Sequence, residues 1–276
     1  MKKWVEYTLL VLAIVSLTAG AASAQKDKSS KEDKGSMDCR DGGWNDRLQT
    51  HCEIREQTVA AGGTITVDAG KNGGVSVKGW DRGDVLIRTR VQANAPTLGE
   101  AEVVAKQVRI ETGSTIHAEG PSSQRDFNWS VSFELFVPRR SDLSLSASNG
   151  GIAIADVNGK IEFNARNGGV SLRRIGGNVH GDTTNGGLAI ELSGDHWDGE
   201  QLDVRTTNGG VIMTVPENYS AHLETGTVNG NVSVDFPVTV QGRITKEISV
   251  NLGSGGATVR ATTTNGGVVL KRRSSN

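Results

Sequence analysis

The sequence predicts an all-β protein: a β-solenoid or β-helix-like stack of short strands with one short helix. Three observations carry that expectation. The chain turns with Asn-Gly-Gly six times, at Asn72, Asn149, Asn167, Asn185, Asn208 and Asn265, with a near match at Asn229-Gly230-Asn231. Asn149, Asn158 and Asn167 stand nine residues apart, and Gly176 and Asn185 continue that interval. Between corners, apolar and polar residues alternate with the period of a half-buried strand. Self-similarity at a fixed period marks a stacked repeat architecture. With 36 glycines against 5 prolines, the glycines mark repeated turns and not a disordered tract. Aromatic residues make up only 4% of the chain, so the core must be built from Val, Ile, Leu and Ala, which suits thin stacked sheets.

The first element is a leader. Met1-Lys2-Lys3 is basic, Leu9 to Thr18 is apolar, and Ala22-Ser23-Ala24 has the small-residue pattern of a cleavage site, so residues 1–24 read as a signal peptide. An uncleaved anchor is the alternative, against which Glu6 interrupts the apolar stretch. Gln25 stands where a lipoprotein would carry cysteine, so no lipid attachment is expected. The mature chain has no further apolar run long enough to span a bilayer. It is expected in the periplasm, at the cell surface or outside the cell. Residues 25–36 mix both charges without an apolar side chain and read as a flexible tether. Cys39 and Cys52, the only cysteines, are expected to form a disulfide stapling residues 37–56, worth about 3 kcal/mol in the chain-entropy model. Zinc is the competing idea, but only His51 lies near and there is no Cys-x-x-Cys.

Residues 57–140 form a β-rich part with one helix. Ile65 and Val67, Val75 and Val77, and Val85, Ile87, Thr89 and Val91 alternate with polar neighbours. Thr97 and Glu100 then make a capping box, and Ala101, Val104, Ala105 and Val108 fall on one helical face. That helix is expected to cover an open end or face of the sheet. Phe127, Trp129, Val131, Phe133 and Leu135 alternate in a following strand whose aromatic face reads as core.

Residues 141–272 hold the repeats. A unit of about eighteen residues contains two strands and two kinds of corner, Asn-Gly-Gly and a looser one such as Val157-Asn158-Gly159 or Ile175-Gly176-Gly177. Later units lengthen through Ser193 to Glu200 and Pro216 to Ser220, insertions expected on one side of the stack. The tight corners are ascribed to the tolerance of Asn and Gly for positive φ. Asparagines at equivalent corners are expected to hydrogen-bond in a ladder along the axis. Asn-Gly is also a hairpin signal, so an antiparallel meander or β-sandwich is the alternative. The alternation of two corner types favours the solenoid.

The units [Val/Ala]-x-[Thr/Ala]-x-Asn-Gly-Gly-[Val/Leu/Ile], as in Val204 to Val211 and Ala261 to Val268, carry a resemblance. So do Cys52-Glu53-Ile54-Arg55-Glu56 and the lone helix before the Phe127 strand. Over about Cys52 to Lys271 the chain resembles the bacterial putative-adhesin family, exported β-strand-repeat proteins of unknown function. The resemblance implies a β-helix-like fold and brings no catalytic residues.

The chemistry is sparse. His51, His117, His180, His196 and His222 form no HExxH or other ligand spacing. His180 and Asp182 share a strand face as a possible pair. Asp195, His196, Trp197, Asp198 and Glu200 place three carboxylates and an aromatic, expected to be exposed, in one inserted loop. That loop is the candidate for calcium or sugar contact, although it lacks EF-hand spacing. There is no GxSxG, and Gly253-Ser254-Gly255-Gly256 lacks the Lys-Ser/Thr of a phosphate loop. A net charge of −1 offers no footprint for nucleic acid. No catalytic residue, cofactor or metal is therefore expected. The chain reads as a non-enzymatic adhesin or envelope-associated binding or structural module. Its expected partners are glycans, envelope components or other proteins, met by outward Arg166, Arg173, Arg205, Arg260, Thr207, Thr262 and Thr264. The alternatives are a polysaccharide-acting enzyme, for which only dispersed Glu162, Glu191 and Asp203 are available, and a scaffold that self-associates through open sheet edges.

Overall fold

The computed structural model describes residues 37–39, 47–236 and 246–273. The leader and the tether lie outside these residues. The chain starts with the long strand β1 (Gln49–Ala60), the short pair β2 (Ile65–Asp68) and β3 (Val75–Trp80), and a second long strand β4 (Asp84–Ala95). Helix α1 (Leu98–Gln107) leads to β5 (Arg109–Thr112), β6 (Ile116–Glu119) and β7 (Asn128–Pro138). Short pairs follow: β8 (Leu143–Ala147) with β9 (Ile152–Ala155), β10 (Asn158–Asn167) with β11 (Val170–Arg173), and β12 (Gly176–Asn185) with β13 (Leu188–Glu191). After them come β14 (Gln201–Asn208) with β15 (Val211–Val215), β16 (Ala221–Asn229) with β17 (Val232–Val234), β18 (Glu247–Leu252), and finally β19 (Thr258–Asn265) with β20 (Val268–Arg272).

These strands make two ten-stranded sheets. The first runs β1-β4-β7-β3-β9-β11-β13-β15-β20-β17; the second, in the same direction, runs β5-β6-β2-β8-β10-β12-β14-β19-β16-β18. Each coil contributes one strand to each sheet, and successive coils pair in parallel and in register. The solenoid expectation holds. Among the described residues, antiparallel pairing is confined to β1-β4-β7, β5-β6 and β16-β18. Strand β1 crosses the boundary expected between residues 56 and 57, and the β2–β3 coil already belongs to the stack.

The core lies between the sheets as columns of equivalent side chains. Ile161, Val179, Leu202, Val259 and Leu223 form one, and Ile154, Leu172, Ile190, Met213 and Leu270 another; all are buried. Phe163 fits its column because the neighbouring coil carries Gly181, where a Cβ would collide with the phenyl ring. Helix α1 has the expected capping box and buries Ala101, Val104 and Ala105 against β4 and β1. Arg55 of β1 donates to the carbonyls of Ala105 at 2.8 Å and Val108 at 2.5 Å, satisfying acceptors at the helix C-terminus.

The stacking order departs from the chain order at both ends. The β2–β3 coil sits between β6–β7 and β8–β9, and the β19–β20 coil sits between β14–β15 and β16–β17. The first and last coils of the sequence are thus both interior.

Candidate functional site

Two rows of corners border the sheets. The Asn-Gly-Gly row carries the expected ladder, with Nδ2 of each asparagine donating to Oδ1 of the next. It passes from Asn149 to Asn72 at 3.2 Å, Asn167 to Asn149 at 2.8 Å, Asn185 to Asn167 at 2.8 Å and Asn208 to Asn185 at 2.9 Å. Asn265 to Asn208 and Asn229 to Asn265 complete it, both at 2.8 Å. Beneath it runs a second ladder. Thr183, Thr206, Thr263 and Thr227 donate their hydroxyls to the carbonyls of Gly168 at 3.0 Å, Gly186 at 2.6 Å, Gly209 at 2.7 Å and Gly266 at 2.8 Å. Its signal was present in the sequence as Thr-x-Asn-Gly. At the looser corner, Arg174 grips Asp156 through two bonds at 2.7 and 2.8 Å and holds that carboxyl below the ordinary Asp range.

The outer face of the second sheet carries rows of polar and charged side chains. Parallel register sets Glu162, His180, Asp203, Arg260 and Glu224 side by side in one row. Asn164, Asp182, Arg205 and Thr262 form the adjoining row. Asp203 Oδ2 accepts from Arg205 Nη2 at 3.0 Å, with Arg260 Nη1 at 3.6 Å and His180 Nδ1 at 4.0 Å. Its other oxygen is buried without a hydrogen-bond partner. Arg260 Nε donates to Glu224 Oε2 at 2.6 Å. Arg166, Thr207 and Thr264 are exposed on the same face. His180 and Asp182 share it too, but the carboxylate that approaches His180 is Asp203 of the adjacent strand. Of the dispersed carboxylates, Glu162 and Asp203 are brought into one row, whereas Glu191 and Arg173 lie on the first sheet. The outer face of that sheet is a trough of about 710 Å3 floored by small side chains, among them Ser76, Ser132, Ala153, Ser171 and Ala189.

The inserted loop is folded onto the stack. Trp197, expected to be exposed, is 4% exposed and donates its indole N–H to Gly177 O at 3.0 Å. A large apolar ring is more stable closing the core than in water, and the backbone carbonyl satisfies its one donor. Asp198 and Glu200 accept from Asn158 at 2.7 Å and Asn178 at 2.6 Å. Exposed Asp195 is 2.6 Å from His196 Nδ1, which holds its carboxyl below the usual range. Cys39 and Cys52 are joined, with Cα atoms 5.7 Å apart. Among the described residues, no group of three or more His, Cys, Asp or Glu is placed to hold a metal ion. No helix among them is long and apolar enough to cross a membrane.

The sequence profile of the family described as Toastrack DUF4097 matches residues 64–271, from just before β2 to within β20. The chain belongs to that family. Among the described residues, every coil of this Toastrack chain falls within the match except for Arg272 at the end of β20. No curated protein matches the chain. Similar solved structures include a putative cell adhesion protein from Clostridium sporogenes ATCC 15579, 10% identical, with 81% of this chain and 100% of that one covered at a TM-score of 0.46. A putative adhesin from Bacteroides fragilis NCTC 9343 is 11% identical, covering 80% of this chain and 97% of its own at a TM-score of 0.27. One from Parabacteroides distasonis ATCC 8503 is 10% identical, with 76% and 97% covered at a TM-score of 0.27.

Proposed function

We propose that this Toastrack chain is an exported, non-enzymatic adhesin-type module that binds an envelope or surface glycan along the outer face of its second sheet. The observation that carries this reading is the in-register field of hydrogen-bonding side chains on β10, β12, β14 and β19. Equivalent groups recur there at the strand spacing of about 4.8 Å, so a polar polymer lying across the strands meets donors and acceptors at each step. Arg205 and Arg260 are held in place by Asp203 and Glu224, which reduces the rotamer entropy lost on binding. The disulfide fits an oxidising compartment.

A glycan array with the purified chain tests the reading, with sedimentation in parallel. Saturable binding to one glycan class is expected, and the double variant Arg205→Ser/Arg260→Ser should weaken it by about tenfold or more, since hydrogen bonds to charged groups contribute roughly 1.5–3 kcal/mol each. Absence of glycan binding, or equal affinity in a double variant that keeps its Tm, overturns it. Concentration-dependent oligomers without glycan binding would instead support the self-associating scaffold.

A further inference from the structure

Among the described residues, the asparagine ladder ends at a residue that chain order does not single out. Asn265 belongs to the last Asn-Gly of the sequence, yet β19 lies between β14 and β16, so the outermost rung is Asn229. Asn229 Nδ2 donates to Asn265 Oδ1 at 2.8 Å. Every other rung, from Asn72 to Asn265, has an Oδ1 that accepts from a neighbour; among the described residues, that of Asn229 accepts from none. The backbone repeats this asymmetry. Gly186, Gly209 and Gly266 donate their N–H groups to the carbonyls of Asn208, Asn265 and Asn229 at 3.0, 2.9 and 3.0 Å, so the backbone bonds of these rungs also run toward Asn229, the last rung among the described residues. Among the described residues, Gly230 stacks on Gly266 on one side alone, whereas Gly168, Gly186, Gly209 and Gly266 each lie between two glycines. The opposite end is closed, because Gly73 lies beneath the Val131 carbonyl of β7.

Asn-Gly is the dipeptide in which the backbone nitrogen most easily reaches the side-chain carbonyl, because glycine offers no side chain to obstruct the approach. We infer that Asn229 is a spontaneous deamidation site of the folded protein. The Gly230 nitrogen attacks Asn229 Cγ, forming the N–Cγ bond of a succinimide; the Cγ–Nδ2 bond breaks and ammonia leaves with the amide proton. Water then opens the ring at either carbonyl, giving aspartate or isoaspartate. At an interior rung, the backbone rotation this needs must separate two neighbouring coils; at Asn229 it separates one coil, because among the described residues the outer strand β18 and Lys246 reach β16 only as far as Thr227 and the Val228 carbonyl. Asn158-Gly159, outside the ladder, is also held from both sides. Its Nδ2 donates to the backbone and side-chain oxygens of Asp198 at 3.1 and 2.7 Å, and Gly159 lies between Ser141 and Gly177. The product at residue 229 is an anion with no donor for Asn265 Oδ1, so conversion loosens the terminal coil.

The full chain is incubated at mildly alkaline pH and mapped by mass spectrometry, site by site, both folded and in guanidinium. In the folded protein Asn229 should convert on the order of tenfold faster than Asn208 or Asn265, following the lower free energy of local opening at a terminus. In guanidinium the rates of these Asn-Gly sites should converge. Asn229→Gln should remove the earliest mass shift. Conversion of Asn265 or an interior rung as fast as Asn229 in the folded state overturns the inference.

Discussion

The first glycine of each Asn-Gly-Gly corner is required by its neighbour and, except at Gly266, not by its own backbone angle. The expectation that positive φ explains Asn-Gly is corrected by the structure. Among the described residues, the non-glycine positions with positive φ are Asp156 and Arg174 at the looser corners, and of the first glycines only Gly266, at 156°, has a positive φ. What excludes a side chain is the distance between coils. A Cβ on Gly168 would overlap the Gly150 carbonyl oxygen, and the same holds for Gly186 on Gly168 and Gly209 on Gly186. Threonine two positions before the asparagine of the next coil supplies a bond to the carbonyls of Gly168, Gly186 and Gly209; the Gly150 carbonyl has no such partner, because Ala165 stands at that position. Gly168→Ala should therefore destabilise the protein by about 3 kcal/mol, the upper part of the range for overpacking. Gly83→Ala, with open space around it, should shift the denaturation midpoint little. Equal midpoints for the two variants would show that the coils can move apart freely.

Helix α1 is the element, among the described residues, whose N-terminal boundary is set by its own sequence. Thr97 Oγ1 accepts from the Glu100 N–H at 3.3 Å, and the Glu100 carboxylate accepts from the Thr97 N–H at 3.0 Å. Thr97→Ala should cost about 1 kcal/mol by removing the cap. Gly99→Ala, in the first turn with nothing near its Cβ position, should raise stability by about 0.5–1 kcal/mol. Guanidinium denaturation of both variants checks the pair, and shifts of the same sign would contradict it. This element was legible residue by residue because capping and helical spacing are local. The asparagine ladder was legible for a similar reason, since equal spacing brings equal corners together. The Glu162-to-Glu224 row was not, because cross-strand register depends on which coils become neighbours. The orientation of Trp197 was likewise hidden. An inserted Asp-His-Trp-Asp reads as a polar loop until the Gly177 carbonyl that receives the indole is in place.

At the scale of the whole molecule, both terminal coils of the sequence are locked inside the stack. In a sequential solenoid, removing the last repeat exposes one fresh surface. Here, removing residues 258–273 takes away the pairing partners of both β14–β15 and β16–β17. The truncated chain should lose its β16–β17 coil to limited proteolysis, with a fall in Tm larger than one peripheral repeat explains. A β16–β17 coil that stayed protected after truncation would contradict the interleaved order.

The same interleaving bears on how such a protein can change in length. A coil inserted after β20 would have to add beyond β16–β17, although β20 itself lies between β15 and β17, and one inserted before β2 would meet β6–β7. The regular run from β8 to β15 is where one coil follows the next in both sequence and space. Duplication or loss of an eighteen-residue unit there leaves both locked ends intact, so the stack can lengthen or shorten from its middle while its termini stay fixed.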